Sequence, residues 1–384
     1  MSRMNREQLN KLKKKLGVDT LWSYSRYSSY LTDPYGYYLN YVEHIQPEKT
    51  DSYYTVLGSI AHDILQDFYE GKIKREEMID RWEDGLFEAD TNGYKPTKDE
   101  DKSKLIKTNY EDSIRHFYLN YIPLKENILC EKFLLIRVKD FYLQGYVDYT
   151  YKTKDGIIHI GDYKTSTLFK KDDLEHKSEQ LKLYAIGIHD KFNVPYENIV
   201  CEFSFLKYCT VICDLKTIDK KTQKPKTKSK VCQRNKWINE SAANIKTWLC
   251  AEYGFKKDSL ELATAYQDIQ NKNSLEDYPL VKKHFKLEDC YLQVEITEEE
   301  INELKERVAD ILTEINYKVK KTRELDDERE IDKLWWTEID KGNEFYFKNL
   351  LGYNRQQHKP LDMYLKETEE LFKVTKEQDD NFDW

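Results

Sequence analysis

Apolar positions divide the chain into alternating helical and strand-like stretches. Ala61, Ile64, Leu65 and Phe68 recur at i, i+3, i+4 and i+7, which predicts a helix over about 58–69. Residues 72–127 read as further amphipathic helices, broken at 88–104 by EADTNGYKPTKDEDKSK, a polar stretch expected to be a loop or mobile insertion. Strand-like runs follow at 133–140, 141–152 and 156–166, with an Asp-Gly hairpin signal between the last two. A helix over about 172–192 turns Leu174, Leu181, Tyr184 and Ile188 inward, and a long apolar run at 198–215 predicts another strand. Near the end, the strand-like YLQVEIT leads into a helix with Thr297 and Glu300 at capping-box spacing. Ile301, Leu304, Val308, Ile311 and Ile315 form its apolar face. Helices, then antiparallel strands, then helix and strand again, indicate an α/β fold with a mixed central sheet flanked by helices.

Composition narrows the class. The 384 residues are 39% hydrophobic, enough to bury a core and to exclude global disorder. No stretch reaches the length of an apolar membrane span, so a soluble, cytoplasmic protein without a membrane partner is expected. Seven Cys without tight spacing fit a reducing compartment. Residues 1–18 form a basic extension, read as a short, frayed helix, whereas 361–384 is an acidic tail expected to be disordered. Nine of the 30 Tyr fall between Tyr24 and Tyr54, which suits either packing or a base-stacking surface. The formal net charge of −8 hides a basic insertion at about 216–236, where nine Lys and Arg, among them Lys224, Lys226, Lys228 and Lys230, meet one Asp. Such a run is too polar for a core and predicts an exposed loop or hairpin tip.

Chemistry concentrates in GYVDYTYKTKDGIIHIGDYKTST. Asp162 and Lys164 are two apart on a strand and share a face, with Tyr163 turned away. The turn decides whether Asp148 joins them. A two-residue turn at Asp155-Gly156 would set Asp148 opposite Tyr163. A three-residue loop, Lys154-Asp155-Gly156, with Gly156 left-handed, sets Asp148 opposite Asp162, and this is the expected register. Two adjacent carboxylates repel, and a hard divalent ion such as Mg²⁺ or Mn²⁺ removes that cost. With Lys164 beside them to orient water or stabilise charge, the indicated chemistry is phosphodiester hydrolysis.

Four pieces of the sequence, in order, resemble the RecB-like branch of the PD-(D/E)XK nucleases: GSIAH, GYVD, GDYKT and QLKLY. The resemblance implies that His62, Asp148 and Asp162 are metal ligands with the Tyr163 carbonyl, and that Lys164 is the catalytic lysine. It further implies that Gln180 and Tyr184, which share a helix face, lie near the DNA backbone or that lysine. Glu131 matches an acidic position of the family, although a surface charge at a strand start would look the same. Several relatives carry an iron–sulfur cluster held by four Cys. Here Asp33 stands in the N-terminal slot and 345–360 has no Cys, so no cluster is expected and Cys209, Cys213 and Cys232 read as ordinary thiols.

The resemblance therefore implies a nuclease domain over about 19–360 that acts on DNA, single-stranded or frayed at an end, as an exonuclease in replication, recombination or repair. The basic run would clamp the backbone. No Walker A motif supplies an ATP site, so a helicase, polymerase or single-stranded-DNA-binding protein is a candidate partner. A DNA-binding adaptor on the same fold, or an RNA-processing nuclease, are the competing expectations.

Overall fold

The Asp155-Gly156 signal closes a hairpin in the three-residue form. The Thr153 amide donates to the Ile157 carbonyl over 2.9 Å, and Gly156 takes a left-handed φ of 95°. This computed structural model describes residues 3–45 and 52–337. The acidic tail and the Cys-free stretch at 345–360 lie outside the described residues.

Seven strands form one mixed sheet among the described residues: β1 (Trp22–Ser23), β2 (Leu129–Val138), β3 (Phe141–Lys152), β4 (Ile158–Lys164), β5 (Ile199–Ile218), β6 (Pro225–Gln233) and β7 (Phe285–Val294). The order is β1-β3-β4-β5-β6, with β2 also on β3 and β7 also on β5. β3 and β4 are antiparallel, whereas β4 and β5 are parallel and joined through the Lys171–Phe192 helix. Thirteen α-helices among the described residues accompany the sheet. The expected α/β class with a mixed sheet is thus present.

Contacts divide the chain into two units. The first is built, within the described range, from Arg3, 52–134 and 146–297. One of its cores gathers Leu57, Ala61 and Leu65 of the Tyr53–Tyr69 helix with Trp82, Phe117, Tyr149 and Tyr163. That helix starts five residues before the expected Gly58, because the Ser52 side chain accepts from the Thr55 amide over 3.1 Å and caps it. The polar stretch at 88–104 is shorter as a loop than expected. Helices Glu77–Thr91 and Glu100–Asn120 enter it from both sides, the second capped by Asp99 accepting from the Lys102 amide. A second core of this unit packs Val211 and Cys213 against Trp237, Ile245 and Leu249.

The second unit holds 4–45, 135–145 and 298–337 within the described range. Here the tyrosine-rich segment is core. Tyr27, Tyr30, Tyr35, Tyr37 and Tyr38 are buried, and Tyr37 and Tyr38 stack on the buried Trp335 at 6.0 and 5.4 Å. Packing therefore accounts for these rings, and they offer no free face for a base. The Arg6–Leu16 helix is not frayed: Asn5 and Gln8 form a capping box, and Gly17 ends it with φ 68°. In the Glu298–Thr322 helix the buried face runs through Leu312, with Ile311 only half-buried.

The basic run is a hairpin, as one of the two expected forms had it. β5 extends to Ile218, β6 returns from Pro225, and Asp219 holds the turn by accepting from the Lys221 and Thr222 amides at 2.9 Å. Residues 220–231 are all exposed.

Candidate active site

Asp148, Asp162 and Lys164 meet because the hairpin register is fixed from the turn up to the residues next to them. Tyr149 pairs with Gly161, Thr150 with Ile160 and Lys152 with Ile158, and one further step of that register sets Asp148 opposite Asp162. Asp148 Oδ2 accepts from the Tyr163 amide over 2.9 Å, so the carboxylate is tied to the neighbouring strand between the other two residues. The Tyr163 ring points into the opposite layer, buried against Tyr149 at 4.6 Å.

Each carboxylate has a basic side chain beside it. His62 of the Tyr53–Tyr69 helix puts Nδ1 3.3 Å from Asp148 Oδ2. Lys164 ion-pairs with Asp162 Oδ2, and its ammonium also lies 5.5 Å from the Phe203 ring. Asp162 is 6% exposed, and its Oδ2 receives no aligned hydrogen bond. Burial pushes the Asp148 carboxyl up to about 6, with the Asp162 charge adding to the rise; His62, the Tyr163 amide and Lys164 pull the other way. The pair thus holds negative charge in a place that resists it.

The donors suit a hard divalent cation: two carboxylates, one of them with an unaligned buried oxygen, and an imidazole. In the present geometry His62 and Lys164 lie against the carboxylates, and no three His, Cys, Asp or Glu groups among the described residues already surround one metal-sized point.

Gln180 and Tyr184 lie one turn apart on the Lys171–Phe192 helix. Gln180 Nε2 donates to the Tyr184 hydroxyl over 2.8 Å, and that hydroxyl donates to the Tyr146 carbonyl over 3.0 Å. The buried Tyr184 therefore pins the helix to β3 two residues before Asp148. Glu131 ion-pairs with Arg3 at 3.1 Å. Lys224, Lys226, Lys228 and Lys230 are not brought to the carboxylates. Lys230 pairs with Val211, eight residues along β5 from Phe203, the partner of Asp162. At 3.3 Å per residue that is about 26 Å along the strand. All four are exposed, and Lys230 is ion-paired with Glu240. Cys209, Cys213 and Cys232 are buried, reduced thiols.

Two supports of the site were not legible beforehand. Phe203, beneath Lys164, looked like any apolar strand residue, and only the parallel register of β4 and β5 brings it there. Gly161 is required because a β-carbon would lie 1.7 Å from Tyr149 Cζ. A glycine inside a strand is the one signal that could have pointed to it.

Paired carboxylates and a lysine on adjacent strands of a mixed sheet are donors that could hold a divalent ion beside a cation. The family model of the PD-(D/E)XK nuclease superfamily matches residues 21–327, and the chain belongs to that superfamily, whose members are nucleases that usually use Mg²⁺ or Mn²⁺. No curated protein matches it in sequence. No helix among the described residues is long and apolar enough to cross a membrane.

Proposed function

We propose that the protein is a divalent-metal-dependent DNA nuclease of the RecB-like type that degrades strands from an end during replication, recombination or repair. The observation that carries this reading is the placement of Asp148 opposite Asp162 with Lys164 on the same face. Superfamily membership supports hydrolysis of a nucleic acid, and the motifs around His62 and Gln180 support the RecB-like branch and DNA.

Asp148, Asp162, His62 and the Tyr163 carbonyl would hold the ion, which when bound supplies Lewis-acid polarisation of the phosphodiester and a more acidic water. Lys164 then orients the attacking water and offsets charge on the phosphorane. Tyr184 and Gln180 keep β3 against the Lys171–Phe192 helix, so Asp148 does not drift. The exposed lysines of the β5–β6 hairpin would bind backbone phosphates away from the cleavage point.

The test is a panel of end-labelled linear and closed circular DNA, single- and double-stranded, with a matched RNA, in Mg²⁺, Mn²⁺ or EDTA. Metal-dependent loss of linear DNA with circles intact is expected. Cleavage of circles would overturn the end-directed assignment, and preference for RNA would overturn the DNA assignment.

A further inference from the structure

Lys207 is a buried lysine without a counter-charge. It is 8% exposed, and no carboxylate or hydrogen-bond acceptor partners it among the described residues. Its Nζ sits 4.9 Å from the centroid of the Tyr110 ring. Burial alone pushes its ammonium down to about 8. A largely buried cation with only an aromatic face beside it and no counter-charge is costly, and replacement by an apolar side chain would remove the penalty. Its presence calls for an anion that is there only part of the time.

The surroundings indicate where the anion would sit. Tyr110 is 3% exposed and its hydroxyl has no aligned hydrogen-bond partner, although it lies close enough to the Thr165 hydroxyl to be influenced by it. Thr165 directly follows Lys164, and its Oγ1 would be 3.4 Å from a β-carbon placed on Gly58. Lys164 pairs with Phe205 across the parallel β4–β5 ladder, so Lys207 stands two residues on, past the end of β4. That is roughly 7 Å further along the strand. An ammonium without a counter-charge, a phenolic hydroxyl and the hydroxyl of Thr165, the residue after Lys164, make a set of donors close in the fold to the proposed reaction centre.

We infer that Lys207, Tyr110 and Thr165 form a second anion subsite, which takes a backbone phosphate adjoining the one cleaved. This rests on the nuclease reading for the source of the phosphate, but not for the site itself. The donors suit tetrahedral phosphate oxygens, which accept from several directions at once. The subsite would set the register of the strand, so its residues act in binding rather than in the chemical step.

The full-length protein, held in EDTA to prevent cleavage, is titrated with a fluorescently labelled single-stranded 12-mer over a salt series. Lys207→Met is expected to weaken binding roughly tenfold and to lower the slope of log K against log salt by about 0.7, the value for one phosphate contact on a single strand. Tyr110→Phe should weaken binding about threefold without a change of slope, and Lys207→Arg should retain the wild-type slope. In a parallel thermal-unfolding series, inorganic phosphate should raise the midpoint of the wild type but not of Lys207→Met. Wild-type affinity, slope and phosphate response in Lys207→Met would overturn the subsite. If wild type binds no strand yet responds to phosphate through Lys207, the nuclease reading falls and the subsite stands.

Discussion

The ring of Tyr149 lies across Gly161, its register partner on the neighbouring strand, and occupies the space that any side chain at 161 would need. The Tyr149 hydroxyl donates to the buried Glu202 over 3.0 Å, which keeps the ring from turning aside. The residue after Asp148 and the residue before Asp162 are thus locked together. Gly161→Ala is expected to destabilise the fold by about 3 kcal/mol, at the upper end for overpacking a core. Urea denaturation measures this, and an unchanged midpoint would mean that the ring can move freely.

Asp148, as a proposed metal ligand, would link metal binding to pH. Its carboxyl is raised to about 6 from an ordinary value near 4, mainly by burial and then by Asp162. A raised folded-state value means that its contribution to stability is fully present below about pH 4 and is lost as pH rises through about 6. A divalent ion binds the ionised form and opposes that loss. Thermal unfolding with and without Mg²⁺ should therefore show a small metal-induced rise at pH 5 and a larger one at pH 7.5. In Asp148→Asn the rise should be abolished at both values. Equal rises at both pH values in wild type would contradict the coupling.

Tyr184 connects the Lys171–Phe192 helix to the Tyr146 carbonyl through one hydroxyl. Tyr184→Phe leaves that carbonyl and the Gln180 amide without this partner, and should cost about 1 kcal/mol. Cleavage should slow several-fold with little change in KM, because the loss is one of alignment at Asp148. A change confined to KM would instead place Tyr184 in substrate binding.

Lys226, Lys228 and Lys230 are spaced two apart on β6, so they share a face, and all are exposed. Changing the three to Gln should lower the salt slope of single-strand binding by about 2. The unfolding temperature should stay within a degree or two, since exposed charges add little to stability. An unchanged slope would remove the hairpin from the nucleic-acid surface.

Much of the site could be read from the sequence because it depends on local rules. Strand alternation put Asp162 and Lys164 on one face, and the left-handed Gly156 of a three-residue loop fixed Asp148 opposite them. Helical periodicity likewise placed Gln180 beside Tyr184. What could not be read depends on residues distant in sequence. Lys207 appears as one lysine in an apolar run, and only the packing of the Glu100–Asn120 helix on β5 buries it against Tyr110. The tyrosines between 24 and 41 could have been a binding face or a core, and Trp335, about 300 residues away, decides for core. The N-terminal helix was expected, but not its capping box, in which Asn5 and Gln8 satisfy the first-turn amides ahead of the Lys run.

The proposed function assigns metal-assisted hydrolysis of a nucleic-acid strand to Asp162 and Lys164. The most direct measurement is the single-turnover cleavage rate of an end-labelled linear strand by wild type, Asp162→Asn and Lys164→Met, each in Mg²⁺ and in EDTA. Wild type should cleave only with metal, and each variant should be slower by roughly 10²–10³ while binding the strand in EDTA within about twofold of wild type. Cleavage that persists in EDTA, or that proceeds at the wild-type rate in either variant, would contradict the claim.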